Sequence, residues 1–194
     1  YTVRCKNSAK YVLEASVKYL VLSATASGFM LFGMALIYAQ TGTLAFSSLL
    51  DTRLVISDTY TIAAVSLISA GIAFKLSLAP FHIWTPDVYE GSPIPSTTYL
   101  ATIGKAAMFV VLLRFVEISD ALTFKSVVAV FSIIAVISIM VGNLLALMQD
   151  NLKRILAYSS IAHMGYLLIA VIASFFAVGT VSIEAVTFYL LAYV

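Results

Sequence analysis

Two lysines lie inside hydrophobic stretches of the sequence, where a charged side chain needs a polar partner or a cavity. Lys75 stands in the otherwise uncharged run 70–78, and Lys105 lies near the middle of the run 96–116. An ammonium group at the centre of a bilayer costs about 2.5–3.5 kcal/mol on insertion scales, so such residues usually face a polar interior and mark proton or ion paths. We therefore predict that Lys75 and Lys105 face a polar interior or a cavity, and we take them as candidates for a proton or ion path.

Pro80, shortly after Lys75, predicts a broken helix, because proline cannot donate the hydrogen bond that a helix interior needs. The stretch 60–90 would be about 46 Å long as one helix, which exceeds a single membrane crossing. We therefore predict non-helical backbone from about Leu78 to Ile83, with carbonyl and amide groups freed beside a polar cavity that Lys75 lines. Alternatively, Lys75 lies near the helix end and extends its ammonium group to the membrane surface.

Thr98 and Thr102 precede Lys105 at spacings that place their hydroxyl groups on its side of a helix. A lysine with hydroxyls along one stripe suits a hydrated proton path, and we expect Lys105 to lie within one or two water molecules of the Lys75 cavity. Alternatively, Lys105 belongs to a packing helix and pairs with an acidic residue elsewhere, since buried ion pairs are often structural.

Weaker candidates for an accessory proton relay lie near the membrane surface and at the break. Glu14 and Lys18 have the i,i+4 spacing of a helical ion pair. Most such pairs close to a membrane surface are anchors rather than relays. His82 follows Pro80 directly in the predicted break, and it could serve the same path or cap the broken helix.

His163 lies in a hydrophobic segment and shares a predicted helix face with Ser159 and Tyr166. A histidine there could relay protons, although a hydrogen-bonded packing role is the more common one. The remaining charges between segments are predicted to form a solvated rim. They are Glu117, Asp120, Asp150, Lys153 and Arg154.

Composition identifies the elements that must position these residues as membrane helices. Hydrophobic residues make up 62% of the 194-residue chain and charged residues 10%, with a net charge of +2 and a mean hydropathy of +1.04. Uncharged runs extend over 19–50 and 126–149, and each is long enough for a membrane helix. We predict an all-α polytopic membrane protein and exclude both a disordered chain and a nucleic-acid-binding protein.

The chain has few residues that could hold a metal or cofactor. Cys5 is the only cysteine, and there are two histidines. This set is too small for a disulfide, a thiolate zinc site, an iron–sulfur cluster or a conventional histidine metal site. We therefore predict no metal and no cofactor in this chain; if the parent assembly does redox chemistry, this chain does not carry the electrons.

Six hydrophobic segments are predicted, with helix boundaries at the polar and Gly- or Pro-rich stretches between them. They cover about residues 11–40, 60–80, 96–116, 126–148 and 155–178, with a sixth from 181 onward. Both ends of the sequence suggest an internal fragment of a longer chain, because Tyr1 is not a start and the last segment is still hydrophobic at Val194.

Basic residues predict the orientation, because cytoplasmic loops are enriched in Lys and Arg. With six simple crossings, one side holds Arg4, Lys6, Lys10, Lys153 and Arg154. The opposite side holds Arg53, Arg114 and Lys125. The bias predicts that the Tyr1 side is cytoplasmic.

Three stretches of the sequence resemble a known family. They are FKLSLAPFHIWTPDVYEG at 74–91, NLKRILAYSSIAHMGY at 151–166 and LEASVKY at 13–19. The chain is similar through them to the antiporter-like membrane subunits of the proton-pumping NADH:quinone oxidoreductase (respiratory complex I). Within that family, WTPDVY at 84–89 and the strings at 151–166 and 13–19 are most like subunit N.

The resemblance implies a fold of 14 helices built from two inverted repeats, of which this chain would hold about six. Residues 1–117 would end the first repeat and 125–194 would start the second. The family's pumping lysines would fall on Lys75 and Lys105, with Lys18 as an accessory site and His163 near a central hydrophilic axis. The Glu that partners Lys75 in the family would precede Tyr1.

The resemblance also implies the function. The chain would be a proton-translocating subunit in the inner membrane of a cell, beside other membrane subunits of the complex. NADH, FMN, iron–sulfur clusters and quinone would be bound by the parent complex. A subunit of a multisubunit cation/proton antiporter and a purely structural membrane scaffold are the alternatives.

Overall fold

The structure, a computed structural model, describes residues 2–45, 59–119, 122, 125–176 and 181–193. These ranges hold eight α-helices and no β-strand, so the all-α prediction is confirmed. The helices are α1 (Thr2–Thr41), α2 (Thr59–Leu76), α3 (Trp84–Gly91), α4 (Ile94–Ala101), α5 (Ile103–Ser119), α6 (Lys125–Leu147), α7 (Leu152–Phe176) and α8 (Val181–Tyr193).

Five helical stretches within these ranges are long and apolar enough to cross a membrane. They are Val12–Thr41, Thr59–Leu76, Ile94–Glu117, Lys125–Leu147 and Leu152–Ser174. Each corresponds to one of the first five predicted segments. The sixth predicted segment is also helical from Val181, as α8, which spans 13 residues.

Two features of the helices differ from the predicted segments. Helix α1 begins at Thr2 rather than near residue 11, and the third segment is interrupted at Thr102, where φ is −104° and ψ is −85°. The hydroxyls of Thr98 and Thr102 donate to the carbonyls of Ile94 and Thr98, four residues earlier. Such bonds compete with the helical backbone pattern and bend helices, and here they coincide with an interruption at a residue that is not a proline.

The predicted helix break is confirmed, because the backbone is non-helical at 77–83 between α2 and α3. Ser77 has a φ of 61°, the left-handed conformation that often terminates a helix. Its N–H donates to the carbonyl of Phe74 (3.0 Å), and the N–H of Leu78 donates to that of Ala73 (2.9 Å). These two bonds form a Schellman motif, so α2 ends with its own hydrogen bonds.

Side chains occupy further backbone groups at the break. The indole Nε1 of Trp84 donates to the carbonyl of Phe74 at 3.2 Å. Ser138 of α6 accepts from the N–H of Ala79 at 2.9 Å. The expectation of unbonded carbonyl and amide groups beside Lys75 was therefore wrong for Phe74 and Ala79. A buried polar group is stable only when it is bonded, and the side chains supply the bonds.

Two helix pairs approach so closely that a side chain would not fit between them. A Cβ atom added to Gly71 of α2 would lie 2.9 Å from the carbonyl oxygen of Ala26 in α1. One added to Gly142 of α6 would lie 2.6 Å from the backbone nitrogen of Ala162 in α7. Helix α3 packs against both α1 and α7, while α5 contacts α2. The break thus lies between two tightly packed helix pairs.

Candidate functional site

Lys75 lies in the last turn of α2 and lines a cavity of about 170 Å³ beside the break. Its side chain is half-buried. Aromatic rings form part of the wall: the centroid of the Trp84 ring lies 5.4 Å from that of Phe74 and 5.3 Å from that of Tyr19. The cavity predicted at this lysine is therefore present, and the side chain borders it. Among the described residues, no carboxylate forms an ion pair with Lys75.

Lys105 is buried in α5, with 1% of its surface exposed. Its Nζ donates a hydrogen bond of 2.8 Å to the hydroxyl of Ser160 in α7. The same nitrogen lies 5.9 Å from the ring centroid of Tyr89 in α3, within the range of a cation–π attraction. The acidic partner of the structural alternative is not found within the described ranges.

The hydroxyl stripe predicted for Lys105 has a different role. Thr98 and Thr102 bond to their own helix, as described above, and the ammonium group turns to Ser160 instead. The Lys75 cavity is lined by Gly104, the neighbour of Lys105, and not by Lys105 itself. The two lysines therefore border different spaces, and a water connection between them remains a prediction.

A second cavity, of about 720 Å³, lies between α3, α4, α7 and α8. Its walls include hydroxyl and imidazole side chains: Thr98, Thr102, Ser159, Ser160, His163 and Tyr193. Because Ser160 both lines this cavity and contacts Lys105, the buried ammonium group lies one side chain away from it. The hydroxyl stripe was expected to connect Lys105 to the Lys75 cavity instead, and that connection stays a prediction.

His163 borders this second cavity and is surrounded by tyrosines. Its Nδ1 lies 2.7 Å from the hydroxyl oxygen of Tyr189 in α8. Its ring centroid lies 5.5 Å from that of Tyr193 and 6.2 Å from that of Tyr166. The histidine thus has both a hydrogen-bond partner and access to the cavity, so the packing and relay roles are compatible here.

Five charged side chains form an ionic cluster that joins α1, α3 and α7. Lys18 contacts Glu14 at 2.7 Å and Asp87 at 2.9 Å. Arg154 contacts Asp87 at 3.1 Å and Glu90 at 2.9 Å. The predicted Glu14–Lys18 pair is therefore present, as part of a larger network around a cavity of about 280 Å³.

The prediction that Lys153 and Arg154 form a solvated rim was wrong. Both are half-buried, and the Nζ of Lys153 donates to the carbonyl of Ser92 at 2.7 Å. Sequence reasoning also missed Asp87 and Glu90 as partners of these bases. Asp87 and Glu90 are three residues apart, so their carboxylates lie on one face of a helix. Consecutive helices that run in opposite directions bring this face near the start of the segment that carries Lys153 and Arg154. The opposite charges of the two pairs of residues were therefore a usable signal.

The other loop charges agree with a solvated rim where they can be observed. Arg114 and Glu117 form an exposed pair at 3.5 Å, and Asp150 is exposed. Arg53 and Asp120 lie outside the described residues, as do the side chains that carried the orientation prediction near the start of the chain, Arg4, Lys6 and Lys10.

His82 lies in the break between α2 and α3 and is half-buried. Its Nδ1 is buried without a hydrogen-bond partner in the described part of the chain. The side-chain bonds at the break come from Trp84 and Ser138, while the backbone carbonyl of His82 accepts from the N–H of Thr85 at 3.0 Å at the start of α3. Across the described ranges, no three His, Cys, Asp or Glu side chains gather as a metal site would require.

Comparison with known proteins extends these observations. A family model described as "NADH:quinone oxidoreductase/Mrp antiporter, TM" matches residues 2–194. NADH-quinone oxidoreductase subunit N of Ectopseudomonas mendocina is 50% identical over 185 residues, which cover 95% of this chain and 37% of that protein. This chain therefore spans little more than a third of the length of that relative.

Two solved structures are similar in fold. A chain of respiratory complex I from Thermus thermophilus with bound aureothin has a TM-score of 0.72 and 41% identity, covering 93% of this chain and 37% of that one. A chain of the Mrp complex from Dietzia sp. has a TM-score of 0.80 and 26% identity, covering 92% and 32%. With the family model matching nearly every residue, the chain belongs to the NADH:quinone oxidoreductase/Mrp antiporter family of membrane proteins.

Proposed function

We propose that this chain is part of a subunit, of the subunit N type, that moves protons across a membrane in an NADH:quinone oxidoreductase. Lys75 and Lys105 take up and release the proton, and quinone reduction in other subunits drives the transfer. The accessory groups are Glu14, Lys18, His82 and His163. The identity of 50% with a subunit N relative over 95% of the chain supports this assignment.

The environment of Lys105 carries the proposal. A lysine beside a carboxylate stays charged, because the opposite charge stabilises the ammonium form. The contact of Lys105 is instead a neutral hydroxyl at 2.8 Å, and only 1% of the lysine is exposed. Among the described residues no carboxylate forms an ion pair with Lys105, so no opposite charge there holds its proton. Such a lysine can exchange its proton with the neighbouring cavity.

Substitution of Lys105 in the complete complex tests the proposal. Lys105→Arg keeps the positive charge but holds its proton at any accessible pH, so a proton carrier fails while a structural cation survives. We expect both Lys105→Arg and Lys105→Ala to reduce proton uptake by vesicles during quinone reduction by about tenfold or more. Lys125→Arg, at the exposed start of α6, is the matched control. Normal pumping in Lys105→Arg would favour the structural scaffold instead.

The same proposal includes the setting of the subunit. The complex lies in the inner membrane of the cell, with the Tyr1 side facing the cytoplasm and other membrane subunits as partners. NADH, FMN, iron–sulfur clusters and quinone are bound elsewhere in that complex. Residues 1–117 end one inverted repeat, and 125–194 begin the next.

A cation/proton antiporter is the second candidate. The TM-score of 0.80 to the chain of the Mrp complex favours it, because that value exceeds the 0.72 found for complex I. The sequence identities favour the oxidoreductase instead, because this chain is 41% identical to the chain of complex I and 26% identical to the chain of the Mrp complex. Sodium flux in vesicles that contain the full assembly separates the two, since only the antiporter exchanges sodium for protons when no quinone is reduced.

A further inference from the structure

Ser160 is the residue that links Lys105 to the second cavity. Its hydroxyl donates to the carbonyl of Ala157 in α7 at 2.7 Å, while its oxygen accepts from Lys105 at 2.8 Å. The side chain is 4% exposed, so water does not replace these bonds freely. Because its single hydrogen is engaged by Ala157, Ser160 presents a lone pair to the lysine.

We propose that Ser160 is a positioning residue for Lys105, holding the protonated amine against the second cavity and favouring its charged form. This inference rests on the proposed proton-carrying role of Lys105. A hydrogen bond from an ionised donor is roughly twice as strong as one between neutral groups. Ser160 therefore stabilises the ammonium form more than the neutral amine, and its removal favours proton release.

Several other groups face this lysine or the adjoining cavity. Tyr89 of α3 presents its ring to the ammonium group, and its hydroxyl is buried without a hydrogen-bond partner among the described residues. Lys153 and His163 of α7 and Tyr193 of α8 line the cavity beyond Ser160. None of these groups is a carboxylate, so Ser160 is the acceptor through which the charge of Lys105 is stabilised from α7.

Helix α7 offers a matched control for this contact. Ser174 donates to the carbonyl of Val171 at 2.7 Å, which repeats the bond from Ser160 to Ala157 at the same spacing. It makes no contact with a lysine among the hydrogen bonds of the described residues. Ser174→Ala therefore removes the same local bond from the same helix and leaves Lys105 unchanged.

The test compares pumping at a series of pH values for the complete complex in vesicles. In Ser160→Ala, the pH at which pumping falls to half its maximum on the alkaline side should move down by about one unit. Ser160→Cys, with a weak sulfur acceptor of similar size, should shift it in the same direction. Ser160→Thr keeps the hydroxyl and should match the wild type, as should Ser174→Ala.

Two results would overturn the inference while leaving the proposed function intact. One is a profile for Ser160→Ala that coincides with that of Ser174→Ala, while Lys105→Arg still abolishes pumping. The other is an equal shift in Ser160→Ala and Ser160→Thr, which would indicate packing rather than hydrogen bonding. Normal pumping in Lys105→Arg would remove the proposed function, and the inference with it.

Discussion

At the scale of single residues, the half-buried Lys75 and the buried Lys105 have different surroundings. The ammonium group of Lys75 borders a small cavity with aromatic walls at the end of a helix. That of Lys105 is fully enclosed between a hydroxyl and a tyrosine ring. Lys75 can therefore be hydrated directly, whereas Lys105 reaches water only past Ser160. Variants of the two lysines should differ accordingly.

Lys75→Ala should leave the complex assembled but depress proton pumping strongly. The lysine forms no ion pair among the described residues, so its removal leaves no opposite charge stranded there. Proton uptake by vesicles during quinone reduction measures the loss, and blue native gels measure assembly. Lys125→Ala, on an exposed surface, is the control. Full pumping by an assembled Lys75→Ala complex would exclude the lysine from the path.

The sequence identified the lysines but not the partner of Lys105. A lysine in an apolar run is unusual enough to be recognised in the sequence alone. Ser160 is 55 positions away, and serine is common on membrane helices, so nothing in its own neighbourhood marks the contact. The stripe of Thr98 and Thr102 was a plausible local substitute. The two hydroxyls line the same cavity as Ser160, but they donate to their own helix and make no direct bond to Lys105, since threonine hydroxyls in helices bond readily to their own backbone.

At the scale of helices, α3 is held by its charges as well as by packing. Asp87 and Glu90 on α3 bond to Lys18 of α1 and Arg154 of α7. The break separates α3 from α2, so these contacts rather than helix continuity fix where α3 lies. Tyr89, which covers Lys105, stands on the same short helix. The ionic cluster therefore positions part of the Lys105 environment.

A double-mutant cycle on Asp87 and Arg154 tests this role. Asp87→Asn and Arg154→Gln should each lower the thermal stability of the assembled complex. The double variant should be little less stable than either single variant. The interaction energy between the two side chains should be about 1 kcal/mol. The exposed pair Arg114→Gln and Glu117→Gln should show almost no coupling. Strictly additive losses in the first cycle would contradict the proposed positioning of α3.

The close contact of α6 and α7 predicts that an added methyl group at this contact lowers the stability of the protein. Gly142→Ala places a methyl group against the backbone of Ala162 and should destabilise the protein by about 1–3 kcal/mol. Gly28→Ala meets nothing within 4 Å and should be neutral or slightly stabilising, because alanine favours helices. Thermal inactivation of the assembled complex measures both, and equal effects would rule out the contact as the cause.

Helix breaks differed in how well the sequence predicted them. The break after α2 was predicted because proline acts locally and its effect is the same in any surroundings. The interruption at Thr102 was not, because it depends on side-chain hydrogen bonds that a helix tolerates in many contexts. The bonds from Asp87 to Lys18 and Arg154 were missed for a related reason, since these residues come from three segments far apart in sequence.

At the scale of the whole molecule, the directions of the helices place parts of α1, α3 and α7 on one side of the bundle. The ionic cluster joins the first half of α1, α3 near its end and the start of α7. These three regions therefore lie on one side of the helix bundle. The six-crossing arrangement likewise put Lys153 and Arg154 on the side of the chain start, and that this side is cytoplasmic stays a prediction.

Thiol labelling tests the orientation. In a Cys5→Ser background, Asp150→Cys should react with a membrane-impermeant reagent from the cytoplasmic side, because positively charged loops stay in the cytoplasm. Glu117→Cys, at the opposite end of a crossing, should react from the other side. Both positions are exposed. Labelling in the reverse pattern would invert the proposed orientation.

The Schellman ending of α2 has a consequence for how the path near Lys75 can open and close. Because the N–H groups of Ser77 and Leu78 complete the hydrogen bonds of the last turn, the carbonyls of Phe74 and Ala73 need no water as a partner. The adjacent cavity, at about 170 Å³, has room for several water molecules. Wetting and drying of this cavity can therefore connect or isolate the lysine while the backbone stays still. A gate of this kind would be a change in solvent content, with no hinge.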